Sequence, residues 1–209
     1  MLTSNRFKFD DQSEQIAFMK RYSFATIITS YNNLPIATQL PFVVNEINGK
    51  VLISGHFAHA NEQVKYIEQY TSLIIFTEPH AYISPSHYEK HESVPTWDYI
   101  SIHAYGKATI ISDEKAKEQA LKEMILYYEK EYIVQWDSLS EKFKQGMMRG
   151  IVAFELEVNN LRGTKKLSQN KSEQERKNIV THLENSSNAV ERELAPFIKN
   201  LSHNHEDRK

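Results

Sequence analysis

Asn48-Gly49 is the pair that most limits what this chain can fold into. It separates residues 34–44 from residues 50–56, two runs in which β-branched and other apolar side chains dominate. A two-residue Asn-Gly connection places both residues at positive φ, and its twist matches that of two antiparallel strands. A hairpin is therefore predicted here. Asn32-Asn33 gives a second turn signal, between strands predicted over 23–30 and 34–44. Pro35 and Pro41 lack the N–H of a ladder and confine that second strand to an edge or a bulge. Further strands are predicted over 72–77, 99–111 and 151–158. In 99–111 the alternation puts Tyr99, Ser101, His103 and Tyr105 on one face, and Ile100, Ile102 and Ala104 on the other.

Helical signals surround these strands. Asp11 with Glu14 reads as a capping box ahead of Ile16, Ala17, Phe18 and Met19. Residues 61–70 carry helical spacing, with Val64, Ile67 and Tyr70 inward. Asp113 opens a long helix to about Tyr132, with Ala116, Ala120, Met124 and Tyr128 recurring every four residues. A shorter helix is predicted over 140–148. Ser172 with Glu175 starts another, and a last helix over 188–201 is expected to break near Pro196. The tail SHNHEDRK reads as mobile. Six or seven short strands with helices at the edges predict a small closed antiparallel β-barrel with α additions, an α+β class. Its expected extent is 1–170, followed by a helical extension and tail over 171–209.

Composition narrows the function classes. The formal net charge is −2, whereas a protein that lives on duplex DNA usually carries a basic stripe to replace counterions. No helix shows one, so DNA is a possible partner without a visible basic patch. Cysteine is absent, which excludes disulfides and thiolate metal sites and fits a cytoplasmic protein. No apolar run has the length of a signal peptide or a membrane span.

Three segments concentrate polar and aromatic side chains. GHFAHAN (55–61) follows a strand and opens a predicted helix, where unpaired N–H groups attract anions. Its His56, Ala58, His59 and Asn61 are candidate phosphate contacts, and ordinary helix capping is the competing explanation. PHAYISPSHY (79–88) and VPTWDYISIHAYG (94–106), with His91 between them, supply four tyrosines, one tryptophan and four histidines. Tyr82, Trp97 and His103 among them suit a flat conjugated ligand, or else a barrel corner or a dimer interface. KKLSQNK (165–171) offers Lys166, Ser168, Gln169 and Asn170 in a loop where capping does not require them. Neither His56-x-x-His59 nor His87-x-x-x-His91 has the partners that complete a metal site.

Together these segments resemble the PaiB family of bacterial split-barrel proteins, described as FMN-binding and as negative transcriptional regulators. The resemblance runs over nearly the whole chain. Its most specific part is KKLSQNK, similar to the family's K-L-S-Q-N-R. GHFAHAN resembles G-H-x-A-R-A-N-P, with His59 where Arg is usual and Glu62 where Pro is usual. PTWDY resembles P-T-W-N-Y, with Asp98 in place of Asn, and His87 stands where P-S-W-Y carries Trp. The resemblance implies an FMN-binding split barrel within the pyridoxamine-phosphate-oxidase-like superfamily. It also implies a homodimer, with FMN between GHFAHAN of one subunit and KKLSQNK of the other, and negative control of transcription linked in relatives to protease production and sporulation. A flavin-dependent oxidoreductase is the alternative, and barrels of the wider group also bind haem.

Overall fold

The structure, a computed structural model, describes residues 4–203; residues 204–209 of the tail, including His205, lie outside them. In chain order the elements are β1 (Lys8–Phe9), α1 (Gln12–Arg21), β2 (Phe24–Tyr31), β3 (Leu34–Pro41), β4 (Val43–Ile47) and β5 (Lys50–Ala58). A short 3-10 helix (Glu62–Lys65), β6 (Ser72–Ile83) and β7 (Thr96–Ile110) follow. Then come α2 (Glu114–Tyr128), α3 (Tyr132–Ser138), α4 (Glu141–Arg149), β8 (Ile151–Lys166), α5 (Glu173–Glu184) and α6 (Ala189–Lys199).

The strands form one eight-stranded antiparallel sheet in the order β3-β2-β6-β7-β8-β5-β4, with β1 on β8. The sheet is not closed, which corrects the expectation of a closed barrel: among the described residues β3 and β4 end the order without pairing. Pro35 and Pro41 leave β3 without two of the donors that a further strand would need. Both predicted turns form. Asn48 and Gly49 have φ of 53° and 78°, and Asn32 and Asn33 have φ of 48° and 61°, the left-handed pair that a two-residue hairpin requires.

The chain divides into two compact units. The larger comprises Gln12–Phe76 and His103–Leu161; the other comprises residues up to 11, Thr77–Ile102 and the chain from 162 onward.

The larger unit is built on Phe42, Phe57, Phe76 and Phe154, all fully buried, with Phe57 stacked on Phe154 at 4.9 Å between ring centroids. Each such side chain contributes roughly 1.5–3 kcal/mol by leaving water. Gly106 is required where β7 passes β8, because a Cβ there would lie 2.2 Å from the Glu157 carbonyl oxygen. In α1, Ile16, Phe18 and Met19 are buried as expected, while Ala17 faces solvent. Asp113 caps α2 by accepting from Ala116 N at 2.8 Å. That helix ends at Tyr128 rather than Tyr132, and α3 starts afresh. Tyr128 turns its hydroxyl to Ser23 Oγ (2.7 Å) and the Phe42 carbonyl (3.1 Å).

The helix expected over 61–70 is a single 3-10 segment followed by turns, and Tyr70 is 37% exposed. A polar network wins over helical periodicity here. Gln63, fully buried, donates to Thr29 Oγ1 (2.9 Å) and accepts from Thr38 Oγ1 (2.8 Å), and Thr29 meets Ser72 Oγ at 2.7 Å. A buried amide must be satisfied somewhere, and β2 and β3 supply the partners.

In the second unit Ile100, Ile102, Ile179, Leu183, Leu194 and Ile198 are buried. Ser172 and Glu175 complete the predicted capping box at 3.1 and 3.0 Å. α6 runs through Pro196 without interruption, which corrects the expected break. Pro196 falls in the last turn, where it removes one hydrogen bond while Leu194, Ala195 and Ile198 hold the helix by burial. No helix of the described residues is long and apolar enough to cross a membrane.

Candidate functional site

The first candidate segment is committed to the fold. β5 carries Gly55 to Ala58, and the chain then turns at His59 and Ala60. The His59 N–H donates to Gly150 O (2.8 Å) and the Asn61 N–H to Ala58 O (2.9 Å). Asn61 Oδ1 caps the 3-10 helix by accepting from Gln63 N at 2.9 Å, and its Nδ2 donates to Thr38 Oγ1 at 3.0 Å. Asn61 thus performs the capping role weighed against phosphate binding. His56 is half-buried, its Nδ1 has no partner among the described residues, and burial lowers its pKa, so it stays neutral at neutral pH. Ala58 and His59 are exposed. His103 lies on β7, half-buried, with its ring edge-on to Tyr105 at 6.4 Å.

The remaining candidates lie in the second unit. Tyr82 on β6 and Trp97 on β7 are 47% and 53% exposed, and their rings meet edge-on at 6.2 Å. His80, two residues before Tyr82, joins them 5.5 Å from Trp97. The three rings form one partly exposed aromatic patch.

β8 is twice as long as predicted and carries Lys165 and Lys166 at its end. Lys166 Nζ donates to Thr96 Oγ1 and, at 2.6 Å, to the Trp97 carbonyl. This fixes the lysine beside the aromatic patch. The chain then reverses at Ser168, whose φ is 58°. Gln169 shapes that reversal with both ends of its amide: Oε1 accepts from Leu167 N (2.8 Å) and Nε2 donates to Lys165 O (2.6 Å). Asn170 is exposed, and its side chain makes no hydrogen bond among the described residues.

Ser168 Oγ donates to Asp98 Oδ2 at 2.6 Å. Asp98 is fully buried, and burial pushes its carboxyl up to about 6 against the opposing hydrogen bond from Ser168 and the charges of Lys166 and Lys171. Lys171 Nζ sits 3.3 Å above the Tyr88 ring, a cation–π contact. The Tyr88 hydroxyl is buried without a partner among the described residues. Burial, and then the Asp98 charge, raise its pKa.

The structure therefore gathers Tyr82, Trp97, Lys166, Ser168, Gln169 and Asn170 in one unit. It also adds His80, Tyr88, Asp98 and Lys171, which the sequence analysis did not assign. Asp98 carried the one visible signal, standing where the resembled motif has Asn. Among the described residues no three His, Asp or Glu side chains could share a metal. His87 instead faces His182, with ring centroids 4.7 Å apart; burial first and then His182 lower its pKa.

Residues 1–160 match the family model described as "Putative FMN-binding domain". The chain is 38% identical over 197 residues to "Protease synthase and sporulation protein PAI 2" of Bacillus subtilis (strain 168), covering 92% of this chain and 94% of that protein. The fold is similar to that of the flavocytochrome Anf3 from Azotobacter vinelandii, with a TM-score of 0.63, 15% identity, and 79% of this chain and 72% of that one covered. It is also similar to the FAD and heme binding protein from Mycobacterium smegmatis, with a TM-score of 0.60, 12% identity, and 76% and 73% covered. At these identities the two structures show the fold, the split barrel of flavoproteins, and no more.

Proposed function

We propose a function from one premise: this chain belongs to the PaiB family, whose members carry that FMN-binding domain. On this reading it binds FMN as a homodimer in the cytoplasm and acts as a negative regulator of transcription, in the line of the relative named for protease synthesis and sporulation.

The observation that carries the flavin reading is the exposed pair Tyr82 and Trp97, with Lys166 tied to the Trp97 carbonyl beside it. Exposed ring faces next to a fixed cation fit a flat, electron-poor ring system attached to a phosphate. Exposed His59 marks where the family's usual Arg would meet an anion. FMN, when bound, supplies two-electron hydride chemistry. The chain's own residues bind and orient it: Lys166 donates to phosphate or to a ring carbonyl, and Asn170 offers an amide to the ring edge.

Deleting the gene for the chain and comparing transcripts tests the regulatory reading. Derepression of a defined gene set is expected, and an unchanged profile would remove that role. The oxidoreductase reading predicts instead that FMN-loaded protein consumes NAD(P)H with a suitable acceptor.

A further inference from the structure

Between α5 and α6 lies a groove of about 350 Å³, within the range of roughly 300–1,000 Å³ that suits small organic ligands. It belongs wholly to the second unit and lies beyond residues 1–160, the part that matches the FMN-binding domain. None of the side chains assigned to flavin lines it. α5 supplies Arg176, Lys177, Val180 and Glu184 at the three- and four-residue spacing that shares one helix face. Ile198 and Lys199 of α6 lie opposite. Val180 over Ile198 makes an aliphatic floor, and the exposed stems of Lys177 and Lys199 extend it as walls.

The charges of this groove do not balance. Lys177 pairs with Glu173 at 2.7 Å and Lys199 with Glu184 at 3.1 Å. Each couple is neutral, so Arg176 is the odd charge and the lining carries +1. Arg176 has no carboxylate within ion-pair distance among the described residues. Glu173 feels it only as the last of the causes that lower its pKa, of which the hydrogen bond to Lys177 comes first. Arg176 is half-buried, and its Nη1 donates to the Lys171 carbonyl at 2.6 Å. That bond steadies the guanidinium and leaves its other N–H groups for a ligand.

We propose that the groove binds an aromatic monocarboxylate of the size of benzoate. The carboxylate takes paired hydrogen bonds from the Arg176 fork, a geometry that a planar guanidinium favours and an ammonium does not. The ring lies over Val180, four residues and about 6 Å further along α5, between the stems of Lys177 and Lys199. There it takes apolar surface out of water. The single negative charge of the ligand cancels the +1 of the lining. A phosphate dianion would overshoot that charge and leave the aliphatic floor unused. A rigid ring is favoured over an alkyl chain, because no rotors are ordered on binding. The site is independent of the flavin reading.

The test is a titration of the purified full chain, with no flavin added, with benzoate, benzamide and acetate, followed by the methyl signals of Val180 and Ile198 in an NMR spectrum. Benzoate is expected to saturate with a Kd of about 1 mM or tighter. Benzamide, which lacks the charge, and acetate, which lacks the ring, are expected to bind at least tenfold more weakly. Arg176→Gln removes the odd cation and is expected to weaken benzoate about tenfold. The double variant Glu173→Gln, Lys177→Gln removes a neutral couple and is expected to hold benzoate within about twofold of the parent. If benzoate binds no better than acetate, or if Arg176→Gln binds it as the parent does, the proposal is overturned. An equal loss in the double variant would trace binding to surface charge at large and would overturn it as well.

Discussion

Ser168 and Asp98, 70 residues apart, share a hydrogen bond of 2.6 Å that uses only one oxygen of a fully buried carboxylate. Burial outweighs this bond and the nearby lysines and lifts the carboxyl to about 6. The sign of the consequence follows. A carboxyl whose pKa is higher folded than unfolded adds most stability below its unfolded value, near 4, and loses it as pH rises through about 6. Asp98 should therefore cost the fold about 1–1.5 kcal/mol on going from pH 5 to pH 7.5. Asp98→Asn removes this term, so urea unfolding should show the variant gaining on the parent between those pH values. An equal difference at both would refute the assignment.

Gln63 is expected to be the least replaceable polar side chain of the larger unit. Gln63→Leu keeps roughly the volume but removes one hydrogen bond each from Thr29 Oγ1, Thr38 Oγ1 and the Ile27 carbonyl, while Thr29 keeps Ser72 and Thr38 keeps Asn61. The loss should reach roughly 2–4 kcal/mol by chemical denaturation, since one substitution removes three hydrogen bonds from the interior. A loss below about 0.5 kcal/mol would mean that water replaces the amide.

Lys166→Ala is expected to weaken FMN by about 1.5–3 kcal/mol, the scale of a hydrogen bond to a charged group. Isothermal titration measures it. An unchanged Kd would take Lys166 out of the flavin site and leave it as a tether for Thr96 and Trp97.

His59→Arg restores the charge and the forked donors that related sequences usually carry at this exposed position. FMN should bind several-fold more tightly and the fold should be unaffected, because the His59 side chain is exposed. Identical affinities would place the phosphate elsewhere.

Local signals in the sequence carry through to the structure. Asn48-Gly49, Asp113 and the Ser172–Glu175 box each act within four residues, and each is realised. Contacts between distant residues were not legible. Gln63 overrides the helical spacing of 61–70 because its partners, Thr29 and Thr38, are 34 and 25 residues away. β8 continues to Lys166 past the alternating segment that revealed it, since pairing with β1 at Gly163 and Thr164 extends it. A cleft around Asp98 draws on four stretches of chain, at Phe7, Tyr88, Val94–Asp98 and Lys166–Lys171, and no spacing rule links Tyr88, Asp98 and Lys171. The aromatic and KKLSQNK candidates stood out by residue type, whereas the engagement of Gln169 within its own loop needed coordinates.

The most direct test of the flavin account is an absorption spectrum of the purified protein, taken as isolated and again after incubation with excess FMN and removal of unbound ligand by gel filtration. The account predicts flavin bands that co-elute with the protein and are reduced by Lys166→Ala. Protein that stays colourless after FMN loading, with no flavin in the protein fraction, would contradict it.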